Sequence, residues 1–218
     1  MTIDLAALRH ATDEYAAAIA RVTALYLDSN QGFANNTARL DEGQRQALVG
    51  LRKSDPSHAT RAHVDSLDYL YGKGDPSDPS NVLLHWSTQG QFRARNEVHG
   101  SNRRLIGQLC LVLTFEYWEG EYRQRIAEAL GRPRKELTEP ILGDLRLIRN
   151  DVVHHRGILT ERTARRLLVI EGLDIGDEVS FDDEAFHSII HDIRAFLDRL
   201  ILEATGVDPE YRALHHIE

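Results

Sequence analysis

The chain has 218 residues and a net charge of −8, with 42% hydrophobic and 28% charged residues. This composition is typical of a soluble globular protein with one sizeable core or two small ones, and no apolar run is long enough to span a bilayer. Cys110 is the single cysteine, which excludes an internal disulfide and a cysteine-based metal cage.

The first residues, MTIDLAALRHATDEYAA, do not follow the basic, apolar, small-residue order of a signal peptide. We therefore expect a cytoplasmic protein with no membrane-bound part. The charge is unevenly distributed, because Arg93 to Arg166 contain 15 Lys and Arg residues against 10 Asp and Glu residues in an otherwise acidic chain. Such a basic segment indicates either a solvated helical face or a surface that binds phosphate groups.

The N-terminal third is predicted to be helical. Apolar residues recur at helical spacing over residues 4 to 28, over 37 to 53 and, less regularly, over 59 to 72. The next stretch, GKGDPSDPSN, covers residues 72 to 81 and is predicted to be a loop, because glycine and proline end regular structure.

The strongest helix is predicted from Ser101 to Leu130. Its middle, LIGQLCLVLTFEYW, is apolar on almost every side, which is typical of a central core helix, and Gly131 follows as a C-terminal cap. Glu116 interrupts the apolar run. A carboxylate there either finds a partner, because burying it alone is costly, or reaches solvent.

A further helix is predicted after Thr138, which is a candidate N-cap, and Gly157 would end it. β-Branched residues around a Gly-Asp turn predict a short hairpin or extended pair over residues 166 to 181. A last helix is predicted from Asp182 to Ala204, followed by a peripheral tail.

The predicted fold class is therefore all-α, a helical bundle with a small β-hairpin or irregular insertion near 166–181. Two parts are expected. Residues 1–88 would form an N-terminal helical extension that packs on a core, and residues 89–218 would form that helical core together with the C-terminal tail.

Polar groups gather in the stretch RNDVVHH, from Arg149 to His155, at the end of a predicted helix. Asn150 and His154 are one turn apart and share a face, whereas Arg149 and His154 lie about 140° apart around a regular helix. Arg149 and His154 converge only if the helix loosens or the arginine reaches across.

These residue types suit chemistry on a phosphate. An imidazole transfers protons near neutral pH, and a guanidinium binds a phosphate or stabilises charge that develops on it. The alternative to a catalytic role is that these residues are solvated or capping groups at a helix end.

The pattern resembles the HEPN superfamily (higher eukaryotes and prokaryotes nucleotide-binding), whose signature is an arginine, four to six residues and a histidine. Here Arg149 and His154 match it, Asn150 is the polar residue after the arginine, and a long apolar helix with a lone carboxylate precedes the motif. The resemblance covers roughly residues 91 to 204. It implies a helical bundle of HEPN type and a homodimer whose two motifs meet in one cleft.

The resemblance further implies a metal-independent endoribonuclease without cofactors, with RNA as its substrate. His154 would be the general base or acid, Arg149 would stabilise the transition state and Asn150 would position both. The product would carry a 2′,3′-cyclic phosphate. Many members of the superfamily are toxins or antiphage defence effectors, so an antitoxin or regulatory protein is an expected partner. Other members are non-catalytic modules that bind RNA, a nucleotide or a protein, which is the alternative function.

Two residues are expected to support this site. Glu116 would be a buried partner that orients Arg149, since an arginine fork matches a carboxylate. Arg146 is three residues before Arg149 and is its neighbour on a helix.

Other basic residues are candidate phosphate contacts, namely Arg95, Arg103, Arg104 and Arg156. Arg95 begins RNEVH, whose spacing is one residue short of the family pattern and which is otherwise a capping and surface segment. Arg156 stands where one subgroup of toxins carries a tyrosine that a partner enzyme modifies, so such regulation is in doubt here. None of the eleven histidines falls in a zinc motif, so no metal site is predicted.

Overall fold

The structure, a computed structural model, describes residues 2–73 and 82–206. It is 72% helix and 8% strand, so a mostly helical fold with a small β-hairpin is confirmed. The α-helices in chain order are α1 (Leu5–Ser54), α2 (Arg61–Ser66), α3 (Gln89–Asn96), α4 (Ser101–Tyr117), α5 (Arg123–Ala129), α6 (Pro140–His154), α7 (Glu161–Ala164) and α8 (Asp183–Thr205). The strands are β1 (Asp68–Lys73) and β2 (Val82–Thr88).

Residue contacts divide the chain into two units. Unit 1 consists of Met1–Tyr26 and Ile106–Glu218, and unit 2 consists of Leu27–Leu105. The predicted boundary between residues 88 and 89 falls inside unit 2, so the contacts group the residues differently from the predicted parts. That residues 1–88 form a separate extension stays a prediction.

Helix α1 is continuous where two helices were predicted. The segment between the predicted helices, residues 29 to 36, lacks apolar periodicity but also lacks proline, so the backbone ladder is not interrupted. Side chains one turn apart reinforce it, because Gln31 donates to Asn35 at 3.0 Å. The prediction of a break was wrong, since helix continuity requires backbone hydrogen bonds and not a continuous apolar stripe.

Unit 2 contains the hairpin. Strands β1 and β2 pair antiparallel, and the Tyr69 ring stacks on the Phe92 ring of α3 at a centroid distance of 3.9 Å. The helix predicted over residues 59 to 72 was wrong beyond Ser66, where alternating aromatic and aliphatic residues begin β1. The loop predicted for 72 to 81 lies mostly outside the described residues, while Gly72 and Lys73 belong to β1.

Of the two alternatives predicted near residues 166 to 181, the irregular insertion is present and the β-hairpin is not, because the described segment contains no strand there. The backbone N–H groups of Leu168, Val169 and Ile170 donate to the carboxylate of Asp144 at 2.8 to 3.0 Å and are therefore occupied. A single β-bridge links Ile158 to Glu178. The segment is an irregular connection anchored on α6.

The core of unit 1 is built from the first turns of α1 with α4, α5, α6 and α8. Tyr15 donates from its hydroxyl to the Thr114 carbonyl at 3.2 Å. Tyr26 stacks on Phe186 at a centroid distance of 3.9 Å. Burial of such aromatic side chains is the largest favourable contribution to packing, and it holds α4 and α8 against α1.

The ends of the predicted helices are mostly as expected. The helix predicted from Ser101 to Leu130 is continuous through a π-turn at Trp118–Tyr122 and ends with Gly131 in the left-handed region, at φ 63°. Helix α8 begins after Asp182, whose carboxylate accepts from the Ala185 N–H at 2.8 Å. The predicted N-cap Thr138 was wrong by one residue, because Glu139 precedes Pro140 at the first helical position.

Helix α4 is not buried on every side, contrary to prediction. Leu109 is 52% exposed, whereas Cys110 and Leu111 are almost fully buried. The apolar residues around α4 led to a prediction of complete burial, but part of the helix surface is exposed to solvent. In the described part of the chain, no helix combines the length and the apolar character that crossing a membrane requires.

Candidate functional site

Arg149 lies on α6 and is held by Glu116 of α4. Its Nε donates to Oε1 of Glu116 at 2.7 Å, and one terminal nitrogen donates to Oδ1 of Asn150 at 3.3 Å. Within the described residues, these are the two bonds of a side chain that has five N–H groups. The guanidinium is therefore oriented and keeps donors for an incoming anion.

Glu116 is not buried as predicted. Its side chain is 46% exposed, and that of Arg149 is 31% exposed. The carboxylate avoids the cost of burial by reaching solvent at the surface of α4 while it also contacts the arginine. The predicted contact between Glu116 and Arg149 is present, but both side chains are more exposed to solvent than the apolar sequence around Glu116 suggested.

The two histidines differ in position. Helix α6 is regular through His154, which is exposed and shares a helical face with Asn150. His155 has left the helix, with φ −121°, and its backbone N–H still donates to the Asp151 carbonyl at 2.9 Å. Because α6 does not loosen before its last residue, helical geometry keeps Arg149 and His154 about 140° apart around the axis.

Helix α6 ends in a tight left-handed turn. Arg156 and Gly157 have φ values of 56° and 78°. The left-handed conformation favours glycine at Gly157, and a Cβ atom there would lie 2.6 Å from Nε2 of Gln108 and displace that side chain. The prediction that the helix ends before Gly157 is confirmed, and Arg156 stays an exposed candidate phosphate contact.

A groove of about 420 Å³ lies between α6 and the segment Thr160–Arg166, and we call it the arginine groove. Its polar lining comes on one side from α6 and its end, with Arg146, Asn150, Asp151 and His155, and on the other side from Thr160, Arg162, Thr163 and Arg166. Its volume falls within the usual range of small-molecule sites. Arg146 and Asn150, both predicted site residues, are thus brought together with seven residues that were not predicted.

Two buried aspartates of α6 hold the far side of this groove. Asp144 binds the backbone N–H groups of residues 168 to 170, and Asp151 accepts from the Thr160 N–H at 2.8 Å. The two aspartates are two helical turns apart and so lie on one face of α6. They fix both ends of the segment that carries Arg162 and Arg166.

The charge of the arginine groove is positive. In the described part of the chain, no carboxylate forms an ion pair with Arg146, Arg162 or Arg166. The one carboxylate in the lining, Asp151, is 2% exposed and already accepts hydrogen bonds from Thr160. Three guanidinium groups therefore face the groove against one carboxylate that is engaged elsewhere.

The other predicted phosphate contacts belong to unit 2. Arg95 lies over the Phe92 ring at 5.0 Å, Arg103 donates to the Asn30 carbonyl at 3.4 Å and Arg104 donates to the His99 carbonyl. These contacts are part of the packing of unit 2. A role in phosphate binding stays a prediction for each of them.

Cys110 is buried in α4, as predicted. Burial raises the pKa of its thiol to about 11, so the group stays protonated at neutral pH. A protonated, enclosed thiol is a poor nucleophile. Over residues 2–73 and 82–206, no group of three or more His, Cys, Asp and Glu side chains is arranged to hold a metal ion.

The groove residues that sequence analysis missed follow α6 in the chain. The sequence contained a signal for a helix there, because Thr160 is a residue type that favours the N-cap position before Glu161. In the structure its hydroxyl accepts from the Thr163 N–H at 3.3 Å. No element was predicted between Gly157 and residue 166, and the arginines of this segment were not connected with Arg146.

Scans against protein-family models, curated proteins and solved structures found no match to this chain. Membership of the HEPN superfamily stays a prediction from the motif of α6 and its helical context.

Proposed function

We propose that this protein is a metal-independent endoribonuclease that cleaves RNA through attack of a ribose 2′-hydroxyl on the neighbouring phosphate. The observation that carries the proposal is the state of Arg149, which Glu116 orients at the polar surface of α6 beside Asn150. An oriented guanidinium stabilises the charge that develops on a phosphate in the transition state, and it needs no reorganisation during the reaction.

In this proposal His154 removes the proton from the 2′-hydroxyl, and the resulting oxygen attacks the adjacent phosphorus. Arg149 stabilises the phosphorane-like transition state, and Asn150 positions the other two groups. The bond to the 5′-oxygen of the next nucleotide then breaks, and that oxygen takes up a proton from water. One product ends in a 2′,3′-cyclic phosphate and the other begins with a 5′-hydroxyl.

The proposal includes a homodimer. Arg149 and His154 of one chain lie on different sides of a regular α6, so a second copy is a natural source of the missing group. The HEPN resemblance implies this composite arrangement, and it also implies service as a toxin or antiphage defence effector with an antitoxin or regulatory protein as partner.

The test is cleavage of RNA in EDTA by the purified protein. We expect Arg149→Ala and His154→Ala each to lower the rate by at least about a hundredfold, because each removes a group that acts in the transition state. His191→Ala, which removes an exposed histidine of α8 outside the proposed site, is the control and should keep most of the rate. Cleavage that survives both substitutions would refute the proposed site.

Mixing the two inactive variants tests the composite site. If the two chains share one cleft, Arg149→Ala and His154→Ala proteins should restore part of the activity when subunits exchange. Light scattering at micromolar concentration should show a dimer. A monomer that cleaves RNA would contradict the shared cleft.

A second candidate is a non-catalytic module that binds RNA, a nucleotide or a partner protein. It is favoured by one observation, that His154 does not line the arginine groove, so binding there does not need the histidine. Tight binding of RNA without cleavage of any RNA tested would select this function.

A further inference from the structure

The arginine groove is more positive than its sequence neighbourhood suggests. The segment Thr160–Arg166 contains Glu161, but this carboxylate pairs with Arg165, one turn along the chain. Arg162 and Arg166 are left without an acidic partner among the described residues, and Arg146 of α6 lies across from them in the same lining. The three guanidinium groups are therefore available to a ligand.

The chemistry of the lining selects a phosphate. Guanidinium groups bind phosphate oxygens through paired N–H donors, and several of them around one groove favour a ligand that carries at least one negative charge. Asn150 and His155 add groups that hydrogen-bond to a sugar or a base. A cation is disfavoured there, because the one carboxylate, Asp151, accepts from Thr160 and is 2% exposed.

The groove is also held in place before any ligand arrives. Asp144 and Asp151 bind the backbone on both sides of Arg162 and Arg166, so the segment does not have to be ordered on binding. Preorganisation of this kind lowers the entropic cost of association. A chance cluster of mobile surface arginines lacks such anchoring.

We infer that the arginine groove binds the phosphate of a nucleotide, through Arg146, Arg162 and Arg166. Asn150 connects it to the proposed catalytic arginine, since Asn150 lines the groove and accepts from Arg149. In the proposed nuclease the groove holds a phosphate next to the one that is cleaved. This placement rests on the proposed function, whereas phosphate binding itself does not.

The experiment measures binding of a fluorescent single-stranded RNA made of 2′-O-methyl nucleotides, which cannot be cleaved through the 2′-oxygen. AMP and inorganic phosphate serve as competitors, so that a backbone phosphate is distinguished from a free nucleotide. The variants are Arg162→Ala and Arg166→Ala. Arg165→Ala is the matched control, since it removes the same charge from the same segment but outside the groove.

We expect Arg162→Ala and Arg166→Ala each to weaken RNA binding about fivefold to tenfold at low salt. The slope of log affinity against log salt should fall by about 0.7 for each lost phosphate contact on a single strand. Arg165→Ala should bind RNA within about twofold of the natural protein, because an arginine paired with a carboxylate contributes less to attraction of an anion.

The outcomes separate the two proposals. RNA binding that depends on Arg162 and Arg166, without any cleavage, would support the groove as a binding site and refute the proposed nuclease activity. Cleavage of RNA together with equal RNA binding by all three arginine variants would support the nuclease activity and overturn the inferred binding site in the groove. AMP binding that requires the same arginines, without RNA binding, supports a site for a free nucleotide. Failure of both RNA and AMP to bind overturns the inference.

Discussion

At the scale of single residues, the arginines around α6 differ in what holds them. Arg149 is oriented by Glu116, and Arg165 is paired with Glu161. Arg146 has no acidic partner in the described part of the chain. A carboxylate fixes a guanidinium but also offsets its charge, so we assign Arg149 to the chemistry of the site and the unpaired arginines to attraction of the substrate.

The role of Glu116 can be tested by Glu116→Gln. The amide keeps the size of the side chain but removes the charge that orients Arg149, so we expect the turnover number for RNA cleavage to fall about tenfold with a smaller change in KM. The free energy of unfolding should change by less than about 1 kcal/mol, because a half-exposed ion pair contributes little to stability. Steady-state kinetics and urea titration measure the two effects.

Glu119→Gln is the control for that measurement. Glu119 is on the same stretch of helix and pairs with Arg123 at 3.0 Å and with Arg134 at 2.6 Å, away from Arg149. It should leave turnover unchanged. Equal losses of activity in the two variants would show that Glu116 does not act through Arg149.

At the scale of elements, α6 carries out two tasks on two faces. One face presents Arg146 and Asn150 to the groove, and the other buries Asp144 and Asp151 against the chain that follows. The buried carboxylates satisfy backbone N–H groups that would otherwise lack partners in an irregular segment. The same helix therefore forms one wall of the groove and holds the other wall in position.

Replacing Asp144 should destabilise the protein. In Asp144→Asn one oxygen is exchanged for an NH₂ group that faces the N–H donors of residues 168 to 170, so we expect a loss of about 3 kcal/mol in the free energy of unfolding. Urea titration followed by circular dichroism measures it. Glu171→Gln, at an exposed position in the same segment, should change stability by less than about 0.5 kcal/mol. Similar values for the two variants would contradict the anchoring role of Asp144.

Elements were predicted well where their signals are local. Helix α8 and the helical run through α4 and α5 follow from apolar periodicity and from end signals at Asp182 and Gly131. The hairpin was placed in the wrong part of the chain because residues 166 to 181 contain four β-branched residues, whereas β1 contains none and β2 contains two. What separates the segments is whether their N–H groups are free to pair, and Asp144 occupies those of residues 168 to 170.

At the scale of the whole molecule, each unit has its own polar and apolar interior. In unit 2, Arg93 of α3 is 12% exposed and donates to Asp41 at 3.0 Å and to Asp65 at 2.6 Å. Partial burial acts to raise the pKa of both carboxyls, but the hydrogen bonds and charge of Arg93 and its neighbours outweigh it and lower the pKa of Asp41 and Asp65. The network links α1, α2 and α3.

The stability of unit 2 should therefore decrease at acidic pH. Because the folded-state pKa of each carboxyl lies below its ordinary value of 3.8, the network stabilises unit 2 fully above that value and loses its contribution as the pH falls below it. Hydrogen exchange of peptides from unit 2, corrected for the intrinsic rate at each pH, should show protection falling as the pH drops below 3.8.

Two variants sharpen this measurement. Arg93→Gln should lower protection at neutral pH and flatten the acid dependence, because the carboxyls lose the charge that lowers their pKa. Arg45→Gln removes an exposed arginine that pairs with Glu42 on the same helix, and it should behave like the natural protein. An unchanged acid profile in Arg93→Gln would contradict the assigned network.

The sequence by itself determined the helical class, most helix positions and the polar stretch at the end of α6. These depend on residues within a few turns of one another, and local spacing records them. Only the tertiary structure decided that α1 is a single helix, where the hairpin lies, and that His155, Arg162 and Arg166 join Arg146 in one groove. The groove depends on Asp144 and Asp151, whose partners are backbone N–H groups farther along the chain. Any residue but proline supplies such a donor, so no local pattern of side chains reveals which ones will be bound.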